Sequence, residues 1–127
     1  MDSQLAYRQA SVCDAAAIFK LEAASFPADE AATLENIESR IREAGAFFLL
    51  AELPDGKLAG FTNGTLTTGS ELTHETMYRH EPSGSLLCIH SVVIDPALRR
   101  RGLAAAMLRQ YLARVVVAKR EGEGGSG

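Results

Sequence analysis

The stretch that most restricts what this chain can become is Leu86 to Leu112, LLCIHSVVIDPALRRRGLAAAMLRQYL. Leu86 to Ile94 holds nine residues, seven of them apolar and none formally charged with His90 neutral. Such a run predicts a strand covered on both faces. Asp95-Pro96 ends it, because proline brings no N–H to a ladder and restricts the residue before it. A helix is predicted from Arg101, since Leu103, Met107, Leu108, Tyr111, Leu112 and Val115 recur three and four apart.

Between strand and helix lie Arg99, Arg100, Arg101 and Gly102. The positive end of a helix dipole favours carboxylates, not three guanidinium groups. An anion docked on the first-turn N–H groups reverses that preference, and the arginines then reinforce it. Gly102 lets backbone come close to such a ligand, and Ala104 to Ala106 keep side chains out of its way. On residue types alone, a solvated basic cap is the alternative.

The rest of the chain arranges itself around this unit. Leu5 to Arg8 is a short candidate strand. Ser11 to Asp14 offers capping side chains for a helix over Asp14 to Ala24, ended by Ser25-Phe26-Pro27. Thr33 caps a second helix carrying Leu34, Ile37 and Ile41, with Gly45 at its stop. Ala46 to Leu53 and Leu58 to Thr67 read as strands paired through the Pro54-Asp55-Gly56-Lys57 turn. Asn63-Gly64 inside the second of these is either a further hairpin turn or a glycine under a close approach. A short helix is expected over Leu72 to His80, capped by Thr73. The order β-α-α-β-β-α-β-α gives a mixed α/β sheet flanked by helices, with ligands expected where strands end at their carboxyl ends. Residues 1–118 form one domain, and 119–127 have the composition of a flexible tail or linker.

Composition excludes more than it selects. A net charge of −3 and a pI near 5.6 give no support to a nucleic-acid surface. No apolar run reaches the roughly 18 residues of a membrane span, and the N-terminus lacks an apolar signal-peptide core, so a cytoplasmic location is expected. Cys13 and Cys88 read as reduced core residues of an intracellular protein. Metal-ligand spacing, a Ser/His/Asp arrangement, a phosphate-loop signature and the dinucleotide glycines are all missing. Alternation places Leu86, Cys88, His90, Val92 and Ile94 on one face of the strand. His90 is then a candidate proton acceptor, or a core histidine bonded to backbone or water. His74 and His80 are expected at the surface.

Arg99-x-x-Gly102-x-Ala104, following a buried strand and opening a helix, resembles the acyl-CoA motif of the GCN5-related N-acetyltransferases. Glu71-Leu72-Thr73-His74-Glu75-Thr76, His80-Glu81-Pro82-Ser83-Gly84, Cys88 to Ile94 and Ser25-Phe26-Pro27 are similar to the serotonin (arylalkylamine) N-acetyltransferase branch. The resemblance implies acetyl-CoA as cosubstrate and a small primary arylalkylamine as acceptor. It implies that backbone groups of Val92, Val93 and Ile94 bond the pantetheine arm, and that Arg99, Arg100, Arg101, Gly102, Leu103, Ala104 and Ala105 hold the pyrophosphate. His90 matches the second of two histidines serving as general base, and Cys88 stands where the first would be, which implies a one-histidine proton route. Phe26, Pro27, Thr65, Cys88 and Val92 would border the acceptor.

The same resemblance implies further strands after the helix, and a tyrosine that protonates the leaving thiolate. Val115 to Ala118 runs instead into Lys119-Arg120-Glu121 and GEGGSG. The fold is therefore expected to stop before its last strands, as one piece of a longer enzyme whose remainder is cleaved, disordered or carried on a second polypeptide fragment. The alternatives are a noncatalytic acyl-CoA-binding fragment, or a polyamine acetyltransferase once completed. Tyr7, Tyr78 and Tyr111 are not assigned the tyrosine's role.

Overall fold

The computed structural model describes residues 5–67, 80 and 86–125. Four strands form one sheet in the order β1-β2-β3-β4: β1 (Ala6–Gln9), β2 (Phe48–Glu52), β3 (Leu58–Thr67) and β4 (Leu86–Ile94). Each neighbouring pair is antiparallel. Helices α1 (Ala15–Ser25) and α2 (Leu34–Ala44) follow β1, and α3 (Leu103–Gly125) follows β4. This is the expected mixed α/β architecture, a sheet flanked by helices. The helix expected over Leu72 to His80 lies, apart from His80, outside the described residues. Helix α3 runs through Lys119 to Gly125, where composition suggested a tail.

Local chemistry explains the boundaries. Thr33 Oγ1 accepts from the Asn36 N–H at 3.1 Å and opens α2. Gly56 takes a left-handed φ of 87° in the β2–β3 turn, and Asp55 Oδ1 accepts from the Lys57 N–H at 3.0 Å. Gly64 is no turn. It pairs with Ile89 inside the ladder, and a Cβ there would lie 2.5 Å from the Cys88 carbonyl oxygen and 2.7 Å from the Tyr111 hydroxyl. Of the two readings of Asn63-Gly64, the close approach is the one observed.

The sheet separates two apolar clusters. On one side Ile18 of α1 and Ile37 and Ile41 of α2 pack on Phe48, Phe61 and Val93. On the other, Leu103, Met107, Tyr111 and Val115 of α3 cover Leu49, Leu66 and Ile94. Their i, i+4, i+8 spacing puts all four on one helix stripe.

Strand β4 departs from expectation in two ways. It is not covered on both faces: Leu86, Ile89 and Val92 are 44%, 41% and 40% exposed. It lies at one edge of the described sheet, bonded to β3 alone, and an apolar run does not distinguish a covered strand from such an edge. Its alternation is also broken. Asn63 pairs with Ser91 and Gly64 with Ile89, so His90 is an extra residue, a β-bulge. Ile94 joins the α3-side cluster and Val93 the α1/α2-side cluster, and alternation past the bulge sets Val92 on the same face as Ile94. Leu86, Cys88 and His90 therefore do not share a face with Val92 and Ile94, as strict alternation would have it.

Candidate active site

The chemistry-bearing residues fall into two groups on either side of the bulge. The first is a polar strip on the α1/α2 side. Thr65 pairs with Cys88 and Asn63 with Ser91, and all four side chains are buried. The His90 imidazole joins this row, its Nε2 3.0 Å from Thr65 Oγ1. Burial, and secondarily the Arg40 guanidinium on α2, lower the His90 pKa to about 4. The imidazole is therefore neutral throughout the physiological range, not poised near neutrality.

Cys88 is buried as expected, but Cys13 is exposed and not a core residue, and His80 also differs from expectation. It is half-buried, its ring 5.1 Å from that of Phe47, and its Nδ1 accepts from the Leu66 N–H at 3.0 Å. Desolvation lowers its pKa as well. Two histidines are thus held by consecutive residues of β3, Thr65 and Leu66. Thr65 and His80 share with Arg40 and Glu43 a chamber of about 30 Å³, room for one water.

The second group lies at the end of β4. Asp95 Oδ1 accepts from the Ala97 N–H at 2.9 Å and shapes a short 3-10 turn at Pro96–Leu98. The chain then swings through Arg99, Arg100 and Gly102 into α3. Arg100 and Gly102 have left-handed φ values of 68° and 72°. For arginine that conformation is uncommon, and such strain marks functional turns. Arg99, Arg100 and Arg101 are exposed, while Leu103 is buried in the α3 core and acts at most through its backbone. A cleft of about 320 Å³ opens beside them. Val92, Val93 and Ile94 form one wall, Arg99 and Ala104 the end, and Ser25 and Phe26 the wall from α1. Ala105 is exposed on the first turn of α3. Pro27 is exposed in the loop and does not line the cleft.

The structure thus brings together Phe26, Val92, Val93, Ile94, Arg99 and Ala104 in one cleft, and Thr65, Cys88 and His90 in one strip. Val92 belongs with the first set. Sequence reasoning passed over Arg40, and named Ser25 and Asn63 only within the Ser25-Phe26-Pro27 and Asn63-Gly64 segments, without a role of their own. Arg40 has the pattern of any charged residue on the outer face of a helix, and only the packing of α2 against β3 sets it near His90. Tyr111 is fully engaged, its hydroxyl donating to the Phe47 carbonyl at 2.8 Å. Among the described residues no His, Cys, Asp or Glu cluster could hold a metal ion, and no helix is long and apolar enough to cross a membrane.

A strand at the edge of the described sheet thus runs through an arginine turn into a helix start beside a cleft. The chain belongs to the acetyltransferase (GNAT) family, whose sequence profile matches residues 15–122. Its fold is similar to the loading GNATL domain of CurA from Lyngbya majuscula, with 21% identity over 86% of this chain and 57% of that one and a TM-score of 0.77. It is similar also to the GphF GNAT-like decarboxylase in complex with isobutyryl-CoA, with 25% identity, 86% and 58% coverage and a TM-score of 0.77. A third similar structure is diaminobutyrate acetyltransferase EctA from Paenibacillus lautus bound to L-2,4-diaminobutyric acid and coenzyme A, with 18% identity, 85% and 56% coverage and a TM-score of 0.64. The chain spans between 56% and 58% of the length of these three proteins. No curated protein sequence matches it.

Proposed function

We propose that this chain carries the acyl-CoA slot and general base of an acetyl-CoA-dependent N-acetyltransferase whose acceptor is the primary amine of a small arylalkylamine of the serotonin or tryptamine type. The observation that carries the acyl-CoA part is the cleft, where the end of β4 meets Arg99 and the first turn of α3. Backbone groups of Val92 to Ile94 receive the pantetheine arm as an added strand. N–H groups from Arg101 to Ala105, with the Arg99 and Arg100 side chains, hold the pyrophosphate. The arylalkylamine itself rests on the resemblance of the Ser25–Pro27, Glu71–Gly84 and Cys88–Ile94 segments. A segment outside these residues, on the same polypeptide or a second fragment, supplies the strand against the free edge and the acid for the leaving thiolate.

In this reading the neutral amine attacks the thioester carbon, His90 then removes the proton from the nitrogen of the tetrahedral adduct, and the adduct collapses to the amide as the CoA thiolate leaves and takes its proton from the acid. An imidazole near 4 is poorly matched to a free ammonium near 10, so His90 acts on the far more acidic tetrahedral adduct. The attacking fraction of amine grows with pH, so kcat/KM is expected to rise from pH 5.5 to 8.5 without an inflection near 6.5. Replacing His90 by Gln is expected to lower kcat about a hundredfold or more, with CoA affinity unchanged. Unaltered turnover in that variant removes His90 from the chemistry.

A second reading is favoured by the Thr65–His90 contact together with the likeness to a GNAT-like decarboxylase. A neutral imidazole paired with a hydroxyl and near Arg40 suits a thioester enolate. The bond from the 2-carbon to its carboxylate breaks, CO₂ leaves, the electron pair moves to the thioester oxygen, and the carbon then takes a proton. CO₂ released from malonyl-CoA without amine supports this reading. Free CoA thiol formed from acetyl-CoA only with tryptamine present supports the first.

A further inference from the structure

Helix α1 ends at Ser25, and Phe26 leaves it in an extended conformation, its N–H bonded to the Glu22 carbonyl at 3.1 Å. The loop beyond is tied back to the same turn. Glu22, only 4% exposed, accepts from the Ala32 N–H through Oε2 at 2.7 Å. These bonds fix the turn that carries Ser25 beside the cleft. Among the described residues just two buried side-chain polar atoms lack a hydrogen-bond partner, Ser25 Oγ and Asn63 Oδ1. A buried hydroxyl without a partner is disfavoured, and folded proteins tolerate few of them. Ser25 is one of the residues that line the cleft, with Val92, Val93, Ile94, Arg99 and Ala104. Arg99 lies at the end of that cleft. Phe26, Val92, Val93, Ile94 and Ala104 are apolar, so Ser25 brings the one uncharged polar side chain to this lining; its hydroxyl, closed off from solvent in this structure, reaches a ligand by turning about its Cα–Cβ bond.

We infer that Ser25 Oγ pairs with an amide of the pantetheine arm of acyl-CoA, from the α1 wall of the cleft, while β4 offers its backbone. The arm carries two amides, each a donor and an acceptor, and a hydroxyl answers either. This rests on the cleft being the acyl-CoA slot. The acyl group is excluded as the partner if it is small: acetyl has no group for a hydroxyl beyond the thioester oxygen that the reaction itself uses.

Titration calorimetry of the full chain with acetyl-CoA, CoA and 3′-phospho-ADP tests the inference. Ser25→Ala is expected to weaken acetyl-CoA and CoA alike, by about three- to tenfold, and to leave 3′-phospho-ADP unchanged. Ser25→Thr, which keeps the hydroxyl, is expected to restore binding. Unchanged CoA affinity in the alanine variant overturns the contact. So does an equal loss for 3′-phospho-ADP, which would mean that Ser25 acts through the fold. A loss for acetyl-CoA without a loss for CoA overturns the assignment to the arm. If the wild-type chain binds CoA no more tightly than 3′-phospho-ADP, the slot reading itself fails, and the inference with it.

Discussion

The two edges of the sheet are built differently. Strand β1 is four residues long, and its Arg8 reaches Asp14 at 2.7 and 2.8 Å and Glu52 at 3.0 and 3.2 Å. That guanidinium holds the Asp14 carboxyl at about 2, and a charged, short strand is a standard way to blunt an edge. Strand β4 is nine residues long and shows Leu86, Ile89 and Val92 to solvent with no charged side chain among its residues. Within the described residues one edge carries its own protection, and the other does not. The contrast supports the proposed placement of the acyl-CoA slot without reference to any motif, because the described part of β4 lacks the ordinary protection of an edge.

The largest effect is expected from detaching the open edge. Gly64→Val places a side chain into the Cys88 carbonyl and the Tyr111 hydroxyl, and a loss of about 3 kcal/mol in urea unfolding is expected. A near-neutral result would mean that β4 is held more loosely than its register implies. Next comes Arg100→Glu, expected to weaken CoA about tenfold, or about 1.4 kcal/mol, in calorimetry, since it reverses a charge on the turn that ends the open edge. Equal affinity would leave the arginine turn a solvated cap.

At the closed edge, Arg8→Ala is expected to cost about 1 kcal/mol of stability and nothing in CoA binding, because the side chain is partly exposed. The same bridge has a pH signature. Asp14 is depressed, so its contribution is complete above the ordinary carboxylate value near 4 and disappears as pH falls toward 2. Acid unfolding of wild type and Arg8→Ala should therefore converge at low pH. The smallest effect on stability is expected from Ile89→Lys, within about 0.5 kcal/mol. It gives β4 the charge that β1 already has, and should raise the concentration at which the chain self-associates in sedimentation velocity. Identical sedimentation would make the open edge no stickier than the closed one.

Elements governed by local chemistry were legible in the sequence. The bounds of β3 and β4, the Thr33 cap and the Gly56 turn all follow from residue types within a few positions. The candidate acyl-CoA residues were legible too, because the turn and the strand end that bring Arg99 beside Val92 to Ile94 are contiguous in the chain. What was not legible depends on partners far away. The bulge at His90 is a property of the pairing of β4 with β3, so a period of two read from β4 alone assigned Val92 to the wrong face. His80 was taken for a surface residue because its acceptor role requires the Leu66 N–H, fourteen positions earlier. The depressed His90 needs α2 packed over the sheet, and nothing near residue 90 foretells Arg40.

The bulge carries one more consequence. Residues on both sides of His90 keep their partners across the ladder, with Asn63 opposite Ser91 and Gly64 opposite Ile89. His90 is therefore a supernumerary residue, an imidazole inserted into a ladder that would close without it. Deleting it outright, rather than substituting it, would leave an eight-residue strand with every other pair in place. The proposed base would then be an attachment to the scaffold and not part of its frame, gained or lost by a single codon without redrawing the core.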